Sequence, residues 1–323
     1  MLSVYLNKIF SLNFANLLNA IGLDFEILSS YTFIVVCLGT MILATVAGMV
    51  GTITVLKGQS LIGDAIGHSS YPGIIIAFMI GMSLDSVSLM IGAIISGTLA
   101  FIIIQFIDKN SKLNLDAVLA VILSAFFGLG MVLKSFIQGH PIYGKVPQGG
   151  LSNYIFGQAA FIRTIDVQLI LAVAIPSLLI LFLFYKEFKI FVFDEVYAKS
   201  IGLSSTLMYV LLVLITMSVI ATGLKLVGAI LISSFLIVPG ITALQWSNRF
   251  SHVLIIAAIV GSFSAFVGTY ISSVYAGMST GPCIIVVMSG LAFISMFISP
   301  KGLLANWLRR RKYLNDLSKS LID

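Results

Sequence analysis

The chain has 323 residues, 59% of them hydrophobic and 9% charged, with a mean hydropathy of +1.12. Soluble domains carry roughly 25% charged residues, so this composition excludes a soluble fold and describes an all-α, polytopic integral membrane helix bundle. The net charge of +6 does not indicate nucleic acid, because many basic residues lie in short loops and in the tail beside apolar runs, where they orient helices.

Residues 1–30 lack the basic start, apolar core and small-residue cleavage site of a signal peptide, and read as an amphipathic segment lying on the membrane surface. Windows of about 20 apolar residues follow at 31–56, 59–82, 87–107, 114–138, 166–185, 204–224, 226–246, 249–275 and 282–298. These are nine predicted spans, within a range of eight to ten, and no internal repeat or linker divides 31–302, which reads as one domain. Cys37 and Cys283 each fall inside a span, so neither a disulfide framework nor a thiolate metal site is indicated.

In the first span Ala44 and Gly48 form a small-xxx-small step that suits close helix packing. The second span contains Gly63-Asp64-Ala65-Ile66-Gly67-His68, followed by Pro72-Gly73. A spacing of four puts the Asp64 carboxylate and the His68 imidazole on one helix face. A charge at the bilayer centre costs at least about 2.5 kcal/mol, so such groups usually line a pathway or meet a partner. Gly63 and Gly67 make a second packing step one residue around the helix. Pro72, and later Pro176 and Pro239, should kink their spans or free backbone carbonyls.

The long 139–165 loop carries His140, Pro141, Pro147 and a Gly149-Gly150 turn. Its Gly139-x-x-x-x-Gly144-Lys145 run mimics a phosphate loop, but Val146 replaces the Ser or Thr and no strand precedes it, so no nucleotide site follows. The stretch Phe193–Leu203 opens with Asp194 and Glu195, which suit a helix N-terminus, and closes on Gly202, a C-terminal stop; it predicts a short helix in a loop. Only Lys225 marks a separation between 204–224 and 226–246. The basic segment 303–323, with Arg309-Arg310-Arg311-Lys312, reads as an orientation signal, and the loop lysines together with this tail predict a cytoplasmic C-terminus. No hydrolase or metalloprotease motif occurs, and of three histidines His140 and His252 lie in predicted loops on opposite sides, so an enzyme is not expected.

Taken on residues alone, Asp64 and His68 are equally a metal site or a hydrogen-bonded structural pair. The Asp64-x-x-x-His68-x-x-x-Pro72-Gly73 run, the loop Phe193-Asp194 through Ala198 to Gly202, the span Val227-Gly228-Ala229-Ile230-Leu231 through Pro239, and the ending Ser299-Pro300 resemble the permease subunits of metal-ion ABC importers, the manganese/zinc/iron uptake class (ABC-3 type). The resemblance covers residues 31–302. It implies a type II ABC importer permease fold in a prokaryotic cytoplasmic membrane, a second permease chain, two cytoplasmic ATP-binding subunits and an extracytoplasmic metal-binding protein. It makes Asp64 and His68 transit ligands for Mn²⁺, Zn²⁺ or Fe²⁺, with no tightly bound cofactor, and makes Asp194, Glu195, Ala198, Lys199 and Gly202 part of an ATPase-coupling helix. One carboxylate and one imidazole are half a site, and two copies about a twofold axis supply two oxygens and two nitrogens, a set suited to these ions. The competing readings are a siderophore- or cobalamin-type permease, whose pore needs no inward ligands, and a secondary transporter using Asp64 as a coupling-ion site.

Overall fold

A computed structural model describes residues 24–143, 146–159, 162–275 and 277–320. The surface segment expected at 1–30 therefore lies outside the described residues up to position 23, as do Gly144 and Lys145. The described residues form helices and no strand. Short α1 (Phe25–Ser29) leads into α2 (Tyr31–Leu56), whose N-cap Ser30 accepts from the Phe33 N–H. There follow α3 (Ile62–Ser69), α4 (Tyr71–Gly81), α5 (Ser86–Asn110), α6 (Leu115–Gly139), α7 (Gly149–Phe156), α8 (Thr164–Leu183), α9 (Tyr185–Phe193) and α10 (Glu195–Ser200). The chain ends with α11 (Ser205–Val227), α12 (Ala229–Trp246), α13 (Phe250–Val274), α14 (Thr280–Ile298) and α15 (Leu303–Ser320).

Eight helices among the described residues are long and apolar enough to cross a membrane: α2, α5, α6, α8 and α11 to α14. The predicted span 59–82 is instead two helices, α3 and α4, that join at Ser70. The cause is Pro72, which has no N–H to offer the His68 carbonyl. Hydroxyls take over nearby acceptors: Ser70 Oγ donates to the Ile66 carbonyl at 2.9 Å and Ser96 Oγ to the Ser69 carbonyl at 2.6 Å. Ser70 keeps helical torsions (φ −73°, ψ −21°), so α3 and α4 run on together for about 30 Å, a length comparable to that of one membrane span.

Three features differ from expectation. The α11–α12 break falls at Gly228 (φ +85°), and Lys225 sits inside the last turn of α11. Only glycine takes this torsion without strain, and Gly228 also meets the backbone of Gly157, itself at φ +76°. In the 139–165 stretch, Gly149 and Gly150 open α7 rather than forming a turn; the preceding Gln148 amide donates to the Ile137 and Tyr143 carbonyls at 3.0 and 2.9 Å. The predicted end at 185 falls where α8 closes, at Leu183, and the separate helix α9 that follows buries Phe188 and Phe191; His252 lies in the first turn of α13 rather than in a loop.

Helix α2 is the centre of the bundle, packed on α13, α12, α8 and α11, while α6 and α14 are the least enclosed. Lipid is as apolar as leucine, so these contacts depend on close approach at small residues rather than on a hydrophobic drive. Gly51 lies against the Leu236 backbone, Gly261 against the Ala44 carbonyl, and Gly73 of α4 against Gly92 of α5 in a reciprocal backbone contact. A larger side chain at Gly73 must part the two backbones. Gly73→Leu is expected to destabilise the detergent-solubilised protein by about 3 kcal/mol or more, read as a lowered thermal midpoint; Gly128→Leu, in open space on α6, should leave it unchanged.

Candidate functional site

Helix α3 holds the polar pair because one of its faces is bare. A Cβ on Gly63 would lie 2.7 Å from Leu236 Cδ1, and one on Gly67 would lie 3.1 Å from Ile232 Cγ2, so this face beds on α12. Asp64 and His68 occupy the adjoining face. Their Oδ1 and Nε2 are 3.7 Å apart, beyond a hydrogen bond, and 36% of the Asp64 side chain and 14% of the His68 side chain stay exposed. The imidazole packs edge-on against Phe127 of α6, with ring centres 5.0 Å apart. Its Nδ1 is buried without a hydrogen-bond partner, as are Ser69 Oγ and Tyr71 Oη just beyond it. The two groups therefore stand within ion-pair range without a hydrogen bond between them, and the imidazole keeps its other nitrogen, Nδ1, unpartnered. No group of three or more His, Cys, Asp or Glu that could hold a metal occurs among the described residues.

Beyond the bundle, α10 forms as its sequence predicts. Asp194 Oδ1 accepts from the Tyr197 N–H at 2.8 Å, and Gly202 (φ +82°) closes the far end, where the Gly202 and Leu203 N–H groups donate to the Lys199 and Ala198 carbonyls. Ala198 is fully buried and anchors the helix instead of offering a contact. The outward face is Phe193, Val196, Tyr197 and Ile201, with Val196 81% exposed. Glu195 takes the Lys57 ammonium at 3.0 Å and Lys199 at 3.1 Å. The Lys57 hydrogen bond first, then Lys199, holds its carboxyl below the usual range. A depressed folded pKa means that this contribution is complete above the ordinary glutamate value and disappears only as pH falls through the folded one. The contact is therefore fully formed at neutral pH.

At the opposite end of the bundle lies a polar cluster that the sequence reading passed over. Lys225 Nζ sits 2.5 Å from Asp166 Oδ1 and donates to Ser86 Oγ at 2.8 Å; Ser86 donates on to Asp166, and the Arg163 N–H donates to Asp166 Oδ2 at 3.0 Å. The group lines a cavity of about 190 Å³ with Asn153, Tyr154 and Gln158. Singly, Asp166 looks like a first-turn acid and Lys225 like a last-turn base. The available signal was the topology, which brings the start of α8 and the end of α11 to the same membrane face, where opposite charges can pair.

A bundle of long apolar helices with a carboxylate and an imidazole on one interior helix face has the build of a membrane permease. Residues 29–299 match the ABC 3 transport family, and the chain belongs to it. It is 38% identical over 272 residues to the manganese transport system membrane protein MntC of Bacillus subtilis (strain 168), covering 84% of this chain and 62% of that one. It is 34% identical over 288 residues to the zinc transport system membrane protein TroC of Treponema pallidum (strain Nichols), covering 89% and 96%. The chain thus spans somewhat under two thirds of the first relative and nearly all of the second. Among solved structures, PsaBC from Streptococcus pneumoniae in complex with Fab superposes with a TM-score of 0.74 at 30% identity, covering 84% of this chain and 94% of that one.

Proposed function

We propose that this chain is the membrane-spanning permease of an ATP-driven importer for a divalent transition metal ion, Mn²⁺, Zn²⁺ or Fe²⁺, and that Asp64 and His68 are the ligands the ion meets in transit. The observation that carries this is the geometry of α3: two ligand-type side chains share one face, 3.7 Å apart with no hydrogen bond between them, and His68 Nδ1 is buried without a partner. A second copy of the chain about a twofold axis completes a site of two carboxylates and two imidazoles. Such a set suits these ions and not soft Cu(I). The names of the relatives, manganese and zinc transport systems, agree with that chemistry.

ATP hydrolysis then belongs to two cytoplasmic ATP-binding subunits that seat against the exposed face of α10, and an extracytoplasmic metal-binding protein delivers the ion. The membrane is the prokaryotic cytoplasmic one. A cytoplasmic C-terminus is supported by the positive-inside rule applied to Lys57, Lys199 and the arginines of α15. The test is metal uptake and ATP hydrolysis by the complex in proteoliposomes with the delivery protein, across Mn²⁺, Zn²⁺ and Fe²⁺. Stimulation by one of them supports the assignment. Stimulation by none sinks it, and uptake that persists without ATPase subunits would establish a secondary transporter instead.

The shape of α10 carries a further expectation. Gly202 takes a left-handed torsion that costs a β-branched residue about 1–2 kcal/mol. Gly202→Val should therefore loosen the end of α10, lower ATP-driven uptake and lower the yield of ATPase subunits copurifying with the permease. Unchanged uptake and copurification would count against docking there.

A further inference from the structure

The Lys57–Glu195 contact joins the exposed helix α10 to the start of the helix that carries Asp64 and His68. Lys57 is the residue after α2, and only five residues, Lys57–Leu61, separate α2 from α3. Its ammonium is 3.0 Å from Glu195 Oε2, donates to the Phe191 carbonyl at 3.2 Å, and stands 3.9 Å from the centre of the Phe191 ring. Phe191 is buried in α9, so Lys57 grips both sides of the α9–α10 corner at Asp194.

The connection from Lys57 to α3 is stiff. Gly58 (φ +72°) closes α2 in a two-bond motif, with the Gly58 N–H on the Val55 carbonyl at 3.0 Å and the Gln59 N–H on the Thr54 carbonyl at 2.9 Å. The Ile62 N–H then donates to the Gln59 carbonyl at 3.2 Å and the Ala65 N–H to the Leu61 carbonyl at 3.1 Å, so hydrogen bonds run from the end of α2 into the turn that bears Asp64. Gln59 also reaches Tyr209 Oη of α11 at 3.5 Å, and Gln105 of α5 donates to the same hydroxyl at 2.6 Å. The α2–α3 turn is thus braced from α5 and α11, and Lys57 ties it by a charge to α10. Two stiff elements with one charge-assisted joint move together.

We propose that Lys57 and Glu195 are positioning residues for transport: the joint carries displacement of α10 to α3 and so changes the placement of Asp64 and His68 when ATP is bound and hydrolysed. This rests on the transport reading above. A lysine that merely capped α2 would matter to stability but not to the number of ions moved per ATP.

The test is a double-mutant cycle on the assembled complex in proteoliposomes, reading metal ions imported per ATP hydrolysed for wild type, Lys57→Met, Glu195→Gln and the double variant. Each single change is expected to lower this ratio roughly threefold to thirtyfold, the usual span for breaking a coupling contact. The double variant should be no worse than the worse single one, and Lys57→Arg, which keeps the charge, should retain most of the ratio. A wild-type ratio in Lys57→Met, or effects that multiply in the double variant, would overturn the joint. If Lys57→Met fails to assemble, Glu195→Gln carries the test alone, and a wild-type ratio there overturns the proposal. A wild-type complex whose ATP hydrolysis ignores metal overturns the transport reading itself, which separates the two failures.

Discussion

Alanine at Asp64 or at His68 is expected to abolish metal uptake while the complex still assembles. In a twofold site each substitution removes two ligands at once, one from each chain. Disturbing a group that merely supports a ligand costs about 10- to 100-fold in affinity, so losing two ligands should cost at least the upper end of that range. Assembly should survive because the α3 face that packs on α12 is built from Gly63 and Gly67, not from the polar pair. His68→Ala opens space beside Phe127, and a small loss of thermal stability is expected there. The measurement is radiolabelled uptake alongside copurification of the subunits. Normal uptake by both variants would refute the ligand role, and loss of assembly by both would return them to a structural pair.

Asp166→Ala is expected to be strongly destabilising, at about 3 kcal/mol, because it leaves the largely buried Lys225 ammonium without its counter-charge. The carboxylate has 6% of its side chain exposed and the ammonium 29%, so neither is well hydrated without the other. The double variant Asp166→Ala with Lys225→Met should recover much of the loss, since a neutral, well-packed pair often matches a buried ion pair in stability. Thermal unfolding of the purified protein in detergent reads both. A double variant no more stable than Asp166→Ala would show that the carboxylate holds the helices through Ser86 and the Arg163 backbone rather than through Lys225.

Much of this could be read in the chain itself, for identifiable reasons. Hydropathy placed the eight long apolar helices among the described residues, because a bilayer demands about 20 apolar residues for each crossing. Asp194 and Gly202 bounded α10 correctly because capping and left-handed torsion are local chemistry. Local chemistry also misled: Lys225 was a plausible break between two apolar runs, yet the break went to Gly228, where Gly157 approaches so closely that only glycine fits. Gly149 and Gly150 carried a turn signal that the Gln148 amide and the packing of α7 overrode. Which way Ala198 of this helix faces was not legible in the sequence, and its complete burial shows that it points inward.

Sequence by itself determined that this is an α-helical membrane protein, that Asp64 and His68 share a helix face, and that a short capped helix stands in the loop near 194–202. Those conclusions depend on periodicity, solvent preference and torsion, which act within a few residues. The tertiary structure decided that His68 packs on Phe127 with its Nδ1 unpartnered, that Lys57 grips Glu195 across 138 positions of chain, and that Asp166 and Lys225 meet. Each of these depends on which helices lie side by side, and that is fixed by the fit of backbone to backbone at Gly51, Gly73, Gly92 and Gly261, a property of pairs of surfaces that no single segment carries.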